Sequence, residues 1–194
     1  MRGTGSCAKV TCVIMSTPAA SPTIRRATAS DFAAVRDFYW QLTDDLEGAP
    51  YHPVWKKGEY PNDEYLQASI AAGELWVADA EGQIAASMVV NDRCNEGYLK
   101  AQWAVEAAPG EFTIIHTLGV GMDFQRRGIG SAMTRHAISL AAEAGHKAVR
   151  LDLIDQNRPA APAYTKLGFR KCDTLRLYYE SVGWQIFHMY EYAL

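Results

Sequence analysis

The feature that most constrains this chain is the succession of patterns between Glu111 and Ile154. EFTIIHTLGV is strand-like, SAMTRHAISLAAEAG carries helical spacing, and KAVRLDLI is strand-like again. A stretch that switches between these two periods packs helix on sheet, which assigns the chain to the α/β class. The flanks fit that core. Thr23 to Arg26 reads as a short strand, and Thr28, Ser30 and Asp31 are cap-type residues opening a helix through FAAVRDFYWQL. Leu46 to Pro61 is loop-like, after which Asn62-Asp63-Glu64 caps a second helix ending at Gly73. ELWVADA and QIAASMVV flank a turn at Glu81-Gly82 and read as a hairpin. A longer irregular segment leads into EFTIIHTLGV. After Ile154 the pattern predicts a helix from about Pro159 to Leu167, stopped by Gly168, then two strands, the last within WQIFHMYEYAL. No internal repeat or low-complexity segment interrupts the series.

A chain of 194 residues, 48% of them hydrophobic, suffices for one full-sized domain, assigned here to residues 23–194. Residues 1–22 carry no fold signal and read as a tail. Met15, followed by STPAASP, looks like a natural start, which would make the preceding residues an over-long reading of the gene. A net charge of -3 speaks against a general nucleic-acid or acidic-membrane binder. No apolar run reaches bilayer-spanning length. Cys7, Cys12, Cys94 and Cys172 form no C-x-x-C pair and have no nearby histidine at metal-ligand spacing, so no metal site is expected. A reduced, cytoplasmic protein follows, with a Cys7–Cys12 disulfide as an unsupported alternative.

The junction QRRGIGS, Gln125 to Ser131, sets two arginines and a Gly-x-Gly where a strand gives way to a helix. A helix start leaves its first N–H groups without partners and carries the positive end of the helix dipole, so it attracts anions. Gly128 and Gly130 let the backbone approach a bulky phosphate, while Arg126 and Arg127 add positive charge. A diphosphate is the natural guest. The Gly-Lys-Ser/Thr ending of a P-loop is absent, and Gly119-Val120-Gly121 runs on into Met-Asp-Phe, so the dinucleotide fingerprint is absent too.

Taken together, IHTLGVGMDFQRRGIGSAM and VRLDLIDQNRPAAPAYTKLGF resemble the GNAT superfamily of acyl-CoA N-acyltransferases. Gln125, Gly128 and Gly130 match its Gln-x-x-Gly-x-Gly signature, Leu118 and Val120 its preceding Leu-x-Val, and Asn157, Tyr164, Gly168 and Phe169 its later Asn…Tyr-x-x-x-Gly-Phe pattern. Gly121-Met122 stands where the family commonly has a proline, and Pro162-Ala163 replaces its usual helix formers. The resemblance implies a mixed central sheet of six to seven strands with about four helices, whose fourth and fifth strands splay apart around acetyl-CoA. It implies that the amides of Arg126, Arg127, Gly128, Ile129, Gly130 and Ser131 hold the diphosphate. Leu118, Gly119 and Val120 would line the pantetheine arm together with Asn157, and a backbone N–H near Val120 would polarise the thioester carbonyl. Tyr164 would act as general acid, because a phenol of pKa about 10 can protonate a departing thiolate of pKa about 8.5.

An acceptor amine must lose a proton. His116 is the first candidate base. It sits two residues before Leu118, so plain strand alternation puts both side chains on one face. Arylalkylamine N-acetyltransferases of the superfamily carry a catalytic-site histidine in a similar context. The alternative is a structural histidine beneath the sheet. Glu111 and Asp155 are fallback bases acting through water. Tyr51, His52, Trp55 and Tyr60 in the first loop, with Tyr98 and Trp103 before the fourth strand, could stack on an acceptor or could only cover the sheet's edge; Tyr51, Trp55 and Trp103 are the candidate pocket. Asp44, Asp45 and Glu47 could attract a cationic amine or form an ordinary solvated face. A small amine is the expected acceptor, with a peptide N-terminus or lysine as an alternative. A non-catalytic acyl-CoA sensor is a further alternative. The terminal strands, WQIFHMYEYAL above all, suggest a homodimer through an exposed edge.

Overall fold

The structure, a computed structural model, describes residues 22–80 and 82–194. The tail, the start at Met15 and the Cys7–Cys12 pairing fall outside the described residues.

Seven strands form one sheet: β1 (Thr23–Arg26), β2 (Leu75–Ala80), β3 (Gln83–Asn91), β4 (Phe112–Val120), β5 (Ala148–Ile154), β6 (Arg170–Tyr179) and β7 (Gly183–Ala193). Their spatial order is β1-β2-β3-β4-β5-β7-β6. The β4–β5 pair is parallel and every other pair antiparallel. Parallel neighbours need a crossover, and α3 (Ile129–Glu143) provides it. The chain opens with α1 (Phe32–Asp45), whose buried residues Val35, Tyr39 and Leu42 share one face. Helix α2 (Asp63–Ala71) begins where the Asn62 side chain accepts the Tyr65 N–H at 2.8 Å. Among the described residues, no helix is long and apolar enough to cross a membrane.

The helix expected from about Pro159 is shorter. A 3-10 turn spans Asp155–Ala160, and α4 covers only Ala161–Thr165. Pro162 sits at its start, where a missing N–H costs nothing. The dimer expectation needs a correction. β7 pairs with β5 on one side and β6 on the other, so WQIFHMYEYAL has no exposed edge. The edge strand on that side of the sheet is β6.

Strand alternation sorts the core between the two faces of the sheet. Ile115, Leu151, Leu153 and Tyr190 pack with α3 residues Met133 and Ala137 on one face. On the opposite face, Val77 and Val89 pack against α1 and α2, while Phe112, Ile114, Phe187 and Met189 lie under the segment carrying Tyr98 and Trp103. That segment is pinned by an ion pair. Arg150 Nε donates to Glu191 Oε1 at 2.9 Å, and the Ala104 and Val105 N–H groups both donate to Glu191 Oε2 at 2.9 Å.

Two irregularities build the site. β4 and β5 pair only from Phe112/Ala148 to Ile114/Arg150, and beyond that point the strands part. The β3–β4 register also slips, because Ser87 pairs with Gly119 but Val89 with His116. Two residues, Thr117 and Leu118, therefore face one on β3, which is a β-bulge. Thr117 takes φ of 49°, an unusual conformation for a β-branched residue. It is held there by the Tyr39 hydroxyl, which donates to the Thr117 carbonyl at 2.9 Å.

Candidate functional site

The splay opens into a cleft of about 550 Å³. One wall is the far half of β4 (Leu118, Gly119, Val120), and the other is the Asn157 turn with Tyr164 of α4. The start of α3 (Gly128 to Ser131) closes one end, and Leu42, Leu46, Tyr51, His52, Pro53 and Trp55 close the other.

At the α3 end the backbone does the work. The first bond of the helix runs from the Ala132 N–H to the Gly128 carbonyl at 3.0 Å. The N–H groups of Ile129, Gly130 and Ser131 therefore begin a helix with no carbonyl behind them, an array suited to an anion. Gly128 enters the helix at φ of 81° and Arg126 at 62°, so two left-handed residues turn the loop's amides toward the cleft mouth. Gln125 ties the loop back to the strand, donating through Nε2 to the Val120 carbonyl at 3.3 Å. Arg126 lines the cleft, whereas the Arg127 guanidinium lies 5.1 Å from the centre of the Phe124 ring.

Along β4 the relevant group is again main chain. The Gly121 N–H donates to the Ala85 carbonyl of β3 at 2.9 Å. Successive N–H groups on a strand point to opposite edges, so the Val120 N–H turns to the β5 side, into the splay. Gly119 lies close under α1: a Cβ there would stand 2.7 Å from Leu42 Cδ2, so the leucine side chain would have to shift.

Tyr164 stands across the cleft, edge-on to Phe169 with ring centroids 5.9 Å apart. Burial pushes its phenol up to about 12, and the negative charge of Asp152 adds to the shift. At neutral pH it is a proton donor.

Comparisons with known proteins agree with this geometry. Residues 36–169 match the GNAT family of acetyltransferases. This chain belongs to that family. Over 74 residues it is 32% identical to an uncharacterised N-acetyltransferase of Methanocaldococcus jannaschii, spanning 38% of this chain and about a third (33%) of that protein's length. A GNAT acetyltransferase of Streptococcus agalactiae superposes with a TM-score of 0.73 at 20% identity, covering 89% of this chain and 95% of that one. A Salmonella typhimurium protein solved with its cofactor acetyl-CoA gives 0.65 at 17% identity, covering 90% and 95%. These likenesses establish the shared fold, including the parallel β4–β5 pair at its centre.

Within this GNAT fold, several side chains fall elsewhere than sequence reasoning put them. The bulge breaks plain alternation, so His116 and Leu118 face opposite sides of the sheet: Leu118 packs toward α3, while His116 turns to the α1–α2 face and contacts Asn91. Asn91 Nδ2 donates to Glu74 at 2.9 Å, and Asn91 Oδ1 accepts the Arg93 N–H. Oδ1 must therefore also accept from His116 Nε2, 3.0 Å away, leaving Nδ1 as the basic ring atom. Burial, with Arg93 beside it, pulls the imidazole down to about 4.

Trp103 does not reach the cleft. Its ring lies against Arg150, 4.4 Å from the guanidinium carbon, and its indole N–H donates to the Tyr98 carbonyl. Neither fallback base lines the cleft. Glu111 pairs with Lys147 at 2.7 Å at the opposite end of β4, and Asp155 bonds His188 at 2.8 Å. Asp44 contacts Lys57, and Asp45 accepts from Gln41.

Sequence reasoning missed Asp152. It lies on β5 two residues past Arg150, where β4–β5 pairing ends, on the face that carries His116. The one available signal was the polar break it makes in the apolar run from Leu151 to Ile154.

Proposed function

We propose that the protein transfers an acetyl group from acetyl-CoA to a primary amine by direct attack in a ternary complex. One observation carries the reading: a single cleft joins unpartnered helix-start amides, an inward-facing strand N–H and a protonated phenol. The residues fit the donor. Ile129, Gly130 and Ser131 offer N–H groups to a diphosphate, and Arg126 adds charge beside them. The β4 edge from Leu118 to Val120 has no β5 partner and can pair with an amide-bearing arm, while Asn157 faces it from the other wall. Bound acetyl-CoA supplies an activated acyl group on a sulfur that can leave. In this reading the Val120 N–H would hold negative charge on the acyl oxygen, and Tyr164 would give its proton to the sulfur.

His116 is neutral near pH 7 and keeps a place at the splay as a hydrogen-bonding group. At about 4 it lies far below an alkylamine of about 10.4, so it is a poor acceptor for the ammonium proton. We place the protein in the cytoplasm, with a small amine as acceptor and a peptide amine as the competing class. The same reading keeps a homodimer, now at the β6–β7 hairpin, where Tyr178, Trp184 and Ile186 are exposed.

The test is CoA-thiol release from acetyl-CoA over a panel of amines, amino acids and peptides, with wild type beside Tyr164→Phe. The expected result is turnover with one amine class, lowered roughly 100-fold or more in the variant while acetyl-CoA binding persists. Tight acetyl-CoA binding with no turnover anywhere would leave a sensor as the better account.

A further inference from the structure

The second wall of the cleft needs an anchor that the parallel strand pair does not give it. β4 leaves β5 after Ile114/Arg150, so from Leu151 onward β5 is paired on one side only, to β7. That pairing ends at Ile154/Phe187. At Asp155 the chain turns out of the sheet, into the turn and helix that bring Asn157, Ala160, Ala163 and Tyr164 to the cleft. The turn is irregular: Asn157 has φ of -104° and ψ of 15°, outside helical values, and no residue from Asp155 to Ala160 is buried. Packing alone holds such a turn weakly.

A polar link from β7 supplies the anchor. His188 is 6% exposed and stands opposite Leu153 of β5. Its Nε2 lies 2.8 Å from Asp155 Oδ1, and its Nδ1 lies 3.2 Å from the Thr174 hydroxyl of β6. The Asp155 carboxyl is held below the usual carboxylate range, first by the bond from His188 and further by the charges of Arg158 and Lys171, so it is ionised and can only accept. The Nε2 proton therefore goes to Asp155, and in the neutral ring Nδ1 accepts from Thr174. Both ring nitrogens find partners, so the buried imidazole costs little. Arg158 comes within 3.7 Å of the same Asp155 oxygen, a contact that stays inside the turn. Gln156 Nε2 donates to Gln185 Oε1 of β7 at 3.3 Å, a second and longer link to the same strand.

We infer that His188 is a positioning residue: through Asp155 it hangs the wall that carries Asn157 and Tyr164 from β7, and so sets the width of the cleft. This rests on the reading of the cleft as an acetyl-CoA site and adds to it a residue that touches neither substrate. Asp155 and Asn157 belong to one tight turn, so freeing the Asp155 carboxylate lets Asn157 shift against the Leu118–Val120 edge across from it. A displacement of about 1 Å is enough to lose a contact to a molecule held between the two walls.

The experiment measures acetyl-CoA affinity by calorimetry for wild type, His188→Leu, His188→Gln, Asp155→Ala, Asn157→Ala and the double variant Asp155→Ala/Asn157→Ala. The Asp155 side chain is 44% exposed, so its removal keeps the fold even if His188→Leu does not. His188→Leu and Asp155→Ala should each weaken binding roughly 10-fold. His188→Gln, whose amide NH2 reaches the place of Nε2, should return to within about threefold of wild type. The double variant should bind within about twofold of Asn157→Ala, because a wall without Asn157 has already lost the contact that Asp155 positions. General loosening of the fold would instead multiply with the loss of Asn157. Wild-type affinity in Asp155→Ala, or losses that multiply in the double variant, would overturn the assignment. If wild type binds no acetyl-CoA, the reading of the cleft is what failed, and the anchor is judged by hydrogen exchange of residues 155–165. Faster exchange there in Asp155→Ala, with α3 unchanged and His188→Gln like wild type, would support the anchor; exchange as in wild type would reject it.

Discussion

Replacing Glu191 by Gln tests what holds the roof over the sheet. The two side chains of the pair are 2% and 3% exposed. Arg150 gives one hydrogen bond to Glu191 Oε1 and another to the Val105 carbonyl, both at 2.9 Å, and lies between the rings of Trp103 and Phe112 at 4.4 and 4.3 Å. Glu191 Oε2 accepts both the Ala104 and Val105 N–H groups. A glutamine cannot satisfy this arrangement in either orientation. If its oxygen faces Arg150, its NH2 meets two N–H donors; if it is flipped, its NH2 meets the guanidinium. The arginine is left buried without its counter-charge. Breaking one side of such a pair costs about 3–5 kcal/mol. For a domain of this size that is a fall in Tm of roughly 6–20 °C.

The assay is denaturant unfolding at neutral pH for Glu191→Gln, Arg150→Met and the double variant Arg150→Met/Glu191→Met. The double should be less damaged than either single, since removing both charges removes the desolvation penalty with the attraction. A residual cost of about 1–3 kcal/mol should remain, for the Ala104 and Val105 N–H groups left without an acceptor. A Glu191→Gln protein within about 1 kcal/mol of wild type would refute the reasoning, because a fully desolvated pair cannot lose one charge so cheaply.

Asp152→Asn should also stabilise the fold, in a pH-dependent way. The folded carboxyl lies near 6 and the unfolded one near 3.9, so the unfolded state is favoured increasingly as pH rises from about 4 to 6, with the full penalty above that. The variant's advantage should be absent at pH 4 and reach up to about 3 kcal/mol at pH 7.5, read by urea unfolding at the two values. Gly128→Ala places a Cβ at φ of 81°. It should cost about 1 kcal/mol of stability and weaken acetyl-CoA binding by calorimetry, and unchanged affinity would show that the left-handed entry to α3 does not shape the anion site.

How much of this was legible in the sequence depends on which part of the chain carries each function. The α3 end of the cleft is main chain: Gly128 and Gly130 at a strand-to-helix junction are readable from sequence, because a backbone conformation and a close approach follow from residue type. Asn157 and Tyr164, which are side chains, were singled out only through the resemblance to the family's Asn…Tyr-x-x-x-Gly-Phe pattern, and the structure places both on the cleft wall. The face of His116 was misjudged because one bulged residue at Thr117 inverts the alternation, and nothing about a threonine announces φ of 49°. Trp103 looked like an acceptor aromatic and is a lid on Arg150, a contact between residues 47 positions apart in the sequence. Asp152 was hidden because its meaning lies in what surrounds it. Tyr60, Tyr98 and Tyr179 are scattered along the chain, and only the fold brings them within range of its charge.

These two ends divide the chemistry of the molecule. Backbone amides in the α3 loop and on the β4 edge do not titrate and hold their geometry as long as the glycines and the bulge do. They suit the part of the reaction that is the same for every acceptor. The acceptor end depends on side chains, Leu42, Leu46, Tyr51, His52, Pro53 and Trp55. Their positions follow from packing between elements, so this end is free to differ where the backbone end is not. The roof pinned by the Arg150–Glu191 pair carries Tyr98 and Trp103 over the opposite half of the sheet. Loosening it with Glu191→Gln should therefore lower stability while leaving acetyl-CoA affinity at the α3 end unchanged. A loss of acetyl-CoA affinity in a variant still folded at the assay temperature would mean that the roof also holds the β4–β5 opening in shape.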